Sequence, residues 1–166
     1  MAFKEITAKE IEGNMIKMIA DEWMLITAGD KDSFNMMTAS WGFLGEIWNK
    51  EVAVSFIRPQ RYTFEFMEKS GIYTLSFYGS EKALHKVCGS LSGRDVDKVK
   101  ETGLTPVFSD NTVYFEEARL VLVCKKIYTT EITENNMLDK DIMKNYPQND
   151  FHKAYFGEIL KVYVRD

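Results

Sequence analysis

The chain has 166 residues, of which 45% are hydrophobic and 28% charged, and this composition predicts one cooperative domain over residues 1–166 rather than a disordered chain. Its formal charge is −4, from 21 basic and 25 acidic residues, which argues against a surface for nucleic acid. Any anion site must therefore be a local cluster of positive charge.

The cysteines and the N-terminus indicate a compartment. Cys88 and Cys124 are far apart in sequence, and with His85 and His152 they do not form a zinc-ligand spacing. Two free thiols are typical of a reducing cytoplasm. The N-terminal "MAFKEITAKEIEGN" has no apolar core of a signal peptide, and no run approaches the ~18 apolar residues that a membrane span needs. We expect a soluble, cytoplasmic protein without membrane contact.

The first elements in chain order are a short helix and a hairpin. Isoleucines and methionines recur at imperfect helical spacing between residues 6 and 19, which predicts a short helix. The apolar segments "EWMLITAG" at residues 22–29 and "FNMMTASWG" at residues 34–42 are separated by the turn sequence "GDKDS". They predict two paired strands.

A strand then leads directly into a helix. The segment "KEVAVSFI" at residues 50–57 is apolar nearly throughout, as expected for a strand buried on both faces. Pro59 suits the first position of a helix, and aromatic residues recur at helical spacing until Gly71 ends the segment. Residues 72–79, "IYTLSFYG", predict the next strand.

The second half alternates short helices with strands. Residues 80–89 and 94–103 predict two short helices, and strand patterns follow at residues 105–108, within residues 111–132 and at residues 153–164. Several strands at intervals of about ten residues, with a few short helices inserted, predict a small closed β-barrel rather than a doubly wound parallel sheet.

Positive charge is concentrated in "IRPQRYT", between the strand and its helix. If Pro59 opens a helix, the first backbone N–H groups have no intrahelical partner and favour an anion. Arg58, Arg61 and Thr63 would add two positive charges and a hydroxyl at the same place. The same pattern also fits a helix start whose arginines pair with surface carboxylates, and the local sequence favours neither reading.

The segment "GSLSGRDVDK" is a second candidate. Ser92 offers a hydroxyl, Gly93 permits a tight loop, and Asp95 can cap the following helix. Arg94 and Lys98 are four residues apart and would share one face of that helix. Taken alone, the segment is typical of a capped helix with a polar face, and it is not a Walker loop because the GK[ST] ending is missing.

A third candidate combines a strand end with a histidine. Thr38, Ser40 and Trp41 offer two hydroxyls and an aromatic plane beside a glycine, although a tryptophan in a barrel is commonly a core residue. His152 lies where a loop enters a strand, a setting that also suits a histidine without chemistry. Neither a Ser-His-Asp arrangement nor an HExxH zinc helix is present in the sequence.

Taken in order, four stretches resemble one family. They are "NMMTASWGFLGEIW", "VAVSFIRPQRYTFEFM", "CGSLSGRDVDKVKETGLTP" and "DFHKAYFGEI". They look like the successive signatures of the flavin reductase-like proteins with the FMN-binding split-barrel fold, particularly the flavoredoxin-like branch. The resemblance extends from about Trp23 to the end of the chain. Four linked motifs are more specific than any one of them.

The resemblance implies a mainly β fold with short helices, a six-stranded antiparallel split β-barrel that forms a homodimer and holds FMN non-covalently near the subunit interface. The stretch from Thr38 to Trp41 would line the isoalloxazine and the ribityl chain. Arg58, Arg61 and Thr63 match the motif that meets the phosphate. The implied cofactor-binding residues are Asn35, Thr38, Ala39, Ser40, Trp41, Arg58, Arg61, Tyr62, Thr63, Ser92, Gly93, Arg94 and Lys98. His152 matches a histidine near the flavin and nicotinamide side, and is the implied catalytic residue.

The activity that the resemblance implies is hydride transfer from NAD(P)H to bound FMN. Such a reaction needs positioning of the two reactants and exclusion of water more than acid-base side chains, in agreement with the missing triad. Two alternatives stay open: a flavoredoxin-like carrier reduced by a protein partner, and a barrel that only binds a phosphorylated ligand. The sequence has no GxGxxG fingerprint, so it does not indicate a preference for NADH or NADPH.

Overall fold

A computed structural model describes residues 2–165 of the chain, which fold around one large antiparallel sheet. The strands are β1 (Lys4–Ile6), β2 (Met24–Gly29), β3 (Phe34–Ala39), β4 (Gly42–Ile47), β5 (Lys50–Ile57), β6 (Ile72–Phe77), β7 (Pro106–Ser109), β8 (Thr112–Phe115), β9 (Leu120–Glu131) and β10 (Lys153–Val164). The helices are α1 (Met15–Lys17), continued by a π-helical turn over Met18–Glu22, α2 (Tyr62–Lys69), α3 (Lys82–Ser90) and α4 (Lys98–Thr102). Short 3-10 segments occupy Ala8–Glu10, Glu134–Asn136 and Lys140–Asn145.

The sheet is a split barrel whose hydrogen-bonded path has two ends. Its strand order is β3-β2-β6-β9-β10-β5-β4, with β1 paired to the outer part of β10, while β7 and β8 form a separate hairpin. The two ends, β3 and β4, are consecutive in the chain and joined only by Ser40 and Trp41. The mainly β, antiparallel split-barrel class is therefore confirmed, although the main sheet has eight strands where six were predicted.

Large apolar side chains fill the interior of the sheet. Strands β5 and β6 are buried along nearly their whole length, which explains their continuous apolar sequences. Tyr73, Phe77 and Tyr155 are the largest completely buried side chains of this core. A second cluster lies between the sheet, the β7–β8 hairpin and the helices α3 and α4, with α3 packed beside β3 and α4 packed on α3. The end of β3 is thereby held in place.

Strand β10 has a bulge that requires a glycine. The register with β9 shifts between Phe156 and Gly157. A Cβ atom on Gly157 would lie 2.3 Å from the Tyr73 hydroxyl and 2.7 Å from the Cys124 Cβ, inside van der Waals contact. The bulge thus lets the backbone approach the core tyrosine closely.

Several predicted boundaries in the N-terminal half are wrong. The helix predicted between residues 6 and 19 forms only from Met15 onward, because Gly13 has a φ of 109° and the Asn14 side chain caps the helix start. The β2–β3 hairpin is confirmed, but β2 begins at Met24 after Trp23, whose φ of 72° interrupts the extended backbone. The predicted strand at residues 34–42 ends at Ala39, and β4 was not predicted.

The second half differs from the prediction at its second short helix. Residues 94–103 contain a shorter helix than predicted, because Asp97 rather than Asp95 caps α4 through a 3.2 Å bond to the Lys100 backbone N–H. Residues 111–132, where strand structure was predicted, form the two strands β8 and β9. The terminal strand at residues 153–164 is confirmed. Within residues 2–165, no helix is both long and apolar enough to cross a membrane.

Candidate functional site

A cavity of about 200 Å³ opens where the sheet is split. Half of the predicted site residues meet there, although they come from three distant parts of the chain. The cavity is lined by Met37, Thr38, Ala39, Ser40, Trp41, Phe56, Arg58, Arg61 and His152. Thr38 to Trp41 form the link between β3 and β4, the arginines follow β5, and His152 directly precedes β10. The antiparallel pairing of β5 with β10 brings the last two groups together.

The turn after β5 differs from the prediction, and the difference moves the helix start. Pro59 does not open α2; it occupies the second position of a turn closed by a 3.1 Å bond from the Arg61 N–H to the Arg58 carbonyl. A fixed proline φ suits this turn position as well as a helix start. The helix begins at Tyr62 with Arg61 as its N-cap residue. The unpaired N–H groups of α2 therefore lie beside Arg61 rather than Arg58.

Arg58 is already neutralised by its own surroundings. Its Nη1 lies 2.7 Å from Asp150 Oδ2, and its Nη2 donates to the Asn145 carbonyl at 2.9 Å. A hydrogen bond from Gln60 and the Arg58 charge hold the pKa of the Asp150 carboxyl below its usual range. Arg58 therefore contributes little uncompensated positive charge to the cavity.

Arg61 and Lys98 form a cationic pair without an acidic partner in residues 2–165. The Arg61 Nη2 donates to the Cys88 carbonyl at 3.3 Å, and the Lys98 Nζ donates to the same oxygen at 3.1 Å and to the Met36 carbonyl at 2.8 Å. Lys98 is only 4% exposed. Burial lowers its pKa to about 8, and the nearby Arg61 charge adds to the effect. Burial also lowers the pKa of Arg61. A buried lysine and a half-buried arginine on one carbonyl oxygen favour an added anion.

The other predicted residues lie around a neighbouring cavity of about 600 Å³ or pack beneath it. Asn35, Tyr62, Gly93, Arg94 and Lys98 line this second cavity. It is a separate cavity, but the two are linked through Lys98 and Arg61, which share the Cys88 carbonyl. The predicted set is thus brought to one side of the molecule but divided between two cavities.

Two residues expected to offer hydroxyls have other partners. Thr63 is buried, where it accepts a 2.8 Å hydrogen bond from the Asn35 side chain, and it does not line the cavity beside the arginines. The Ser92 hydroxyl accepts from the Arg94 backbone N–H at 3.2 Å. Arg94 itself pairs with Glu65 and lies over the Tyr62 ring at 4.6 Å. Because α4 begins at Lys98, Arg94 and Lys98 do not share a helix face as predicted.

The link between β3 and β4 offers backbone donors to the first cavity. Within the described part of the chain, the N–H groups of Ser40 and Trp41 have no hydrogen-bond acceptor, since both residues lie outside the strand ladders. The Thr38 hydroxyl is not available in the same way, because it donates to the His85 carbonyl at 3.0 Å and lies 3.1 Å from His85 Nδ1. The unpaired donors of this link, among residues 2–165, are therefore these two main-chain N–H groups and the Ser40 hydroxyl.

His152 is a buried ring at the cavity wall. Its centroid lies 5.0 Å from that of Trp41, and its Nδ1 lies 2.8 Å from the Tyr146 hydroxyl. Burial lowers the pKa of His152 to about 4, and the Arg58 charge adds to this effect. The imidazole is therefore neutral at physiological pH. Trp41 is 42% exposed, so the cavity opens to solvent along the indole.

Some residues of the site had no signal in the sequence. Phe56 lines the cavity, but its sequence pattern is that of an ordinary strand residue. Tyr146, which contacts His152, directly follows a 3-10 segment that the sequence did not predict. The Cys88 carbonyl could not be found from side-chain patterns, because it is a backbone group at the end of α3. The described residues contain no group of three or more His, Cys, Asp or Glu side chains that could hold a metal ion.

Comparison with known proteins shows what this architecture is similar to. A structure of flavoredoxin from Methanosarcina acetivorans matches with a TM-score of 0.68 and 21% identity, over 87% of this chain and 69% of that one. Flavoredoxin of Desulfovibrio vulgaris (Miyazaki F) matches with a TM-score of 0.67 and 23% identity over the same shares. An FMN-binding protein from Thermus thermophilus matches with a TM-score of 0.70 and 17% identity, over 98% of this chain and 82% of that one.

The sequence itself supports the same grouping. No curated protein sequence matches the chain. The family model described as "Flavin reductase like domain" matches residues 16–166, which is most of the chain. The family resemblance noted in the sequence motifs is therefore confirmed, and the chain belongs to the flavin reductase-like domain family.

Proposed function

We propose that the chain binds FMN at the split of the barrel and acts as an FMN-dependent oxidoreductase that takes hydride from NAD(P)H. This proposal rests mainly on one observation: Arg61 and Lys98, two cations without a carboxylate partner among residues 2–165, lie beside a cavity lined by Trp41 and His152. A ligand with an anionic group and a planar ring would satisfy both features. The structural similarity of the chain to a flavoredoxin and to an FMN-binding protein supports the same proposal.

The phosphate end of FMN fits the cationic pair. A phosphate monoester carries about −1.5 to −2 charges near neutral pH, and Arg61 and Lys98 together supply up to +2 without a carboxylate among residues 2–165 to neutralise them. The start of α2 lies beside Arg61 and adds a favourable dipole. Charge-assisted hydrogen bonds from these groups would fix the position of the phosphate.

The ring end of FMN fits the link between β3 and β4. The unpaired N–H groups of Ser40 and Trp41 would meet acceptor atoms on the edge of the isoalloxazine, and the Trp41 indole and Phe56 ring supply apolar contact. When bound, FMN supplies the hydride-accepting chemistry. The chain's own groups would hold the ring, exclude water from one face and keep His152 neutral beside it.

A titration combined with a spectrum tests this proposal. We expect the chain to bind FMN with a 1:1 stoichiometry, to turn yellow, and to bleach when NADH or NADPH is added without oxygen. A Trp41→Ala variant should lose affinity for FMN, whereas Phe108→Ala, at a similarly exposed aromatic side chain on β7 and outside the cavity, should not. A chain that stays colourless with excess FMN would contradict the proposal.

One observation favours a second candidate function. The cavity of about 200 Å³ is smaller than the ~300–1,000 Å³ of ordinary ligand pockets, so it holds part of a flavin and leaves no enclosed room for a nicotinamide. A flavoredoxin-like carrier, reduced by a protein partner, needs no such room. Stopped-flow reduction separates the two: fast bleaching by NADH or NADPH supports the oxidoreductase, and slow bleaching with both supports the carrier.

The partner that we propose is a second copy of the chain. A cluster of aromatic rings lies next to the cavity, on the outer face of β4, β5, β9 and β10 and the β4–β5 turn. Phe43, Trp48 and Tyr128 are exposed in it, and Phe56 and Phe156 are half-buried. The ring of Phe56 belongs to both the cluster and the cavity wall. A second copy covering this face would also enlarge the small cavity. Light scattering should give a dimer that Phe43→Glu dissociates, while Phe108→Glu, at a similarly exposed phenylalanine on β7, leaves the dimer intact.

We further propose a cytoplasmic location. Cys88 and Cys124 are both buried free thiols, and burial raises the pKa of Cys88 to about 11. Unreactive free thiols fit a reducing compartment. Fractionation of cells that produce the chain, with assay of flavin fluorescence in each fraction, would test the location.

A further inference from the structure

The chain has two histidines, and each ring is held by one hydroxyl group. His152 Nδ1 lies 2.8 Å from the Tyr146 hydroxyl, and His85 Nδ1 lies 3.1 Å from the Thr38 hydroxyl. Both rings are buried, with exposed fractions of 8% and 1%. A neutral imidazole carries one ring proton, so the partner of Nδ1 decides whether that proton is on Nδ1 or on Nε2.

The Tyr146 hydroxyl has a single proton, and its acceptor determines the state of His152. Tyr146 is 3% exposed, and within residues 2–165 its hydroxyl has His152 Nδ1 as its only side-chain partner. If Nδ1 carried the proton, the hydroxyl proton would have no acceptor, and an unsatisfied buried donor is unfavourable. The Arg58 guanidinium, 5.0 Å above the Tyr146 ring, further strengthens the hydroxyl as a donor. The hydroxyl therefore donates to Nδ1.

Thr38 leads to the opposite result at His85. Its hydroxyl has one proton, which it gives to the His85 carbonyl at 3.0 Å, because a carbonyl oxygen only accepts. The 3.1 Å contact with Nδ1 is then a hydrogen bond only if Nδ1 carries the ring proton. His85 Nε2 is left as a bare acceptor, and it has no partner in the described part of the chain.

We propose that Tyr146 is a positioning residue that holds His152 in the Nε2–H tautomer, so that His152 presents a hydrogen-bond donor to the cavity instead of a base. Nε2 has no partner among residues 2–165 and is not one of the completely buried atoms, and the ring lines the cavity. The ligand atom that it suits is an acceptor, such as a carbonyl oxygen or an unprotonated ring nitrogen. This last step rests on the proposed flavin site, whereas the tautomer does not.

Nitrogen-15 NMR of the full chain with labelled histidine tests the assignment. Long-range proton–nitrogen correlations distinguish the protonated from the bare ring nitrogen. At pH 7 and without added flavin, we expect His152 as the Nε2–H tautomer and His85 as the Nδ1–H tautomer. The His152 signals are assigned by their loss in His152→Gln. In Tyr146→Phe, which keeps the ring packing, the His152 signals should shift to a mixture of both tautomers while those of His85 stay unchanged.

The matched control is Tyr78→Phe. The Tyr78 ring lies 6.3 Å from that of His85, and its buried hydroxyl has no partner within residues 2–165, so its loss should change neither histidine. An Nδ1–H tautomer for His152 in the wild-type chain, or unchanged His152 signals in Tyr146→Phe, would overturn the proposal. Failure to bind FMN would instead contradict the proposed function and leave the tautomer result intact.

Discussion

Replacing Arg61 by alanine should weaken the binding of FMN while hardly changing the binding of riboflavin, which lacks the phosphate. Arg61 is the guanidinium that lies beside the start of α2 and has no carboxylate partner among residues 2–165. A hydrogen bond to a charged group contributes about 1.5–3 kcal/mol, which corresponds to a roughly 10- to 150-fold change in Kd.

The surroundings of Arg61 place the expected loss near the lower end of that range. Lys98 stays on the same Cys88 carbonyl, 3.1 Å away, and can still meet the phosphate. The Arg61 charge is one of the causes that lower the pKa of Lys98 to about 8, so removing it should raise the protonated fraction of Lys98. Part of the lost positive charge is thereby recovered. We therefore expect a loss closer to 10-fold than to 150-fold.

The assay is fluorescence titration of the flavin-free chain with FMN and with riboflavin. The control is Arg119→Ala, which removes an arginine paired with Glu22 outside the two cavities and should leave both affinities unchanged. Equal losses for FMN and riboflavin in Arg61→Ala would show a general disturbance of the site and refute a phosphate contact. Wild-type affinity for FMN would refute it as well.

Three further predictions concern Lys98, Gly157 and His152. The affinity for FMN, but not for riboflavin, should fall as pH rises through about 8, because Lys98 loses its proton there; titrations between pH 7 and pH 9 measure this. Gly157→Ala should lower the free energy of unfolding, measured in urea, by about 1–3 kcal/mol, because the added Cβ would overlap the Tyr73 hydroxyl. The control Gly45→Ala should have little effect, since a Cβ there meets open space. Equal effects of the two substitutions would contradict the packing argument. The pKa of His152 is lowered to about 4, so between pH 6.5 and pH 4 this histidine binds a proton in the unfolded chain but not in the folded chain. The free energy of unfolding should therefore fall by about 1.4 kcal/mol per pH unit, for this histidine, as pH decreases through that window. His152→Gln should reduce that slope, and an unchanged slope would contradict the lowered pKa.

The fold was largely readable from the sequence because continuous apolar strands and strong turn signals have local causes. The terminal strand and the β2–β3 hairpin formed as predicted. Strand β4 was missed because its outer positions carry exposed side chains, so it shows no buried pattern. The number of strands in the sheet depends on pairings between distant segments, such as β1 with β10, which no local pattern specifies.

The site was harder to read than the fold, since its chemistry depends on which partners each charge finds. Arg58 and Arg61 look equivalent in the sequence, yet Asp150 neutralises Arg58 and no acidic side chain among residues 2–165 reaches Arg61. Thr63 looked like a third ligand in the sequence, but its side chain is buried against Asn35 and does not line the first cavity. Pro59 fits a turn and a helix start equally well, and only the hydrogen bond from the Arg61 N–H to the Arg58 carbonyl shows that it lies in a turn.

A crystal structure of the chain grown with FMN is the measurement that tests the central claim most directly. The account predicts the phosphate within hydrogen-bond distance of the Arg61 guanidinium and Lys98 Nζ, and the ring against the Ser40–Trp41 backbone. Flavin bound with its phosphate away from both cations, or at another surface of the barrel, would contradict it.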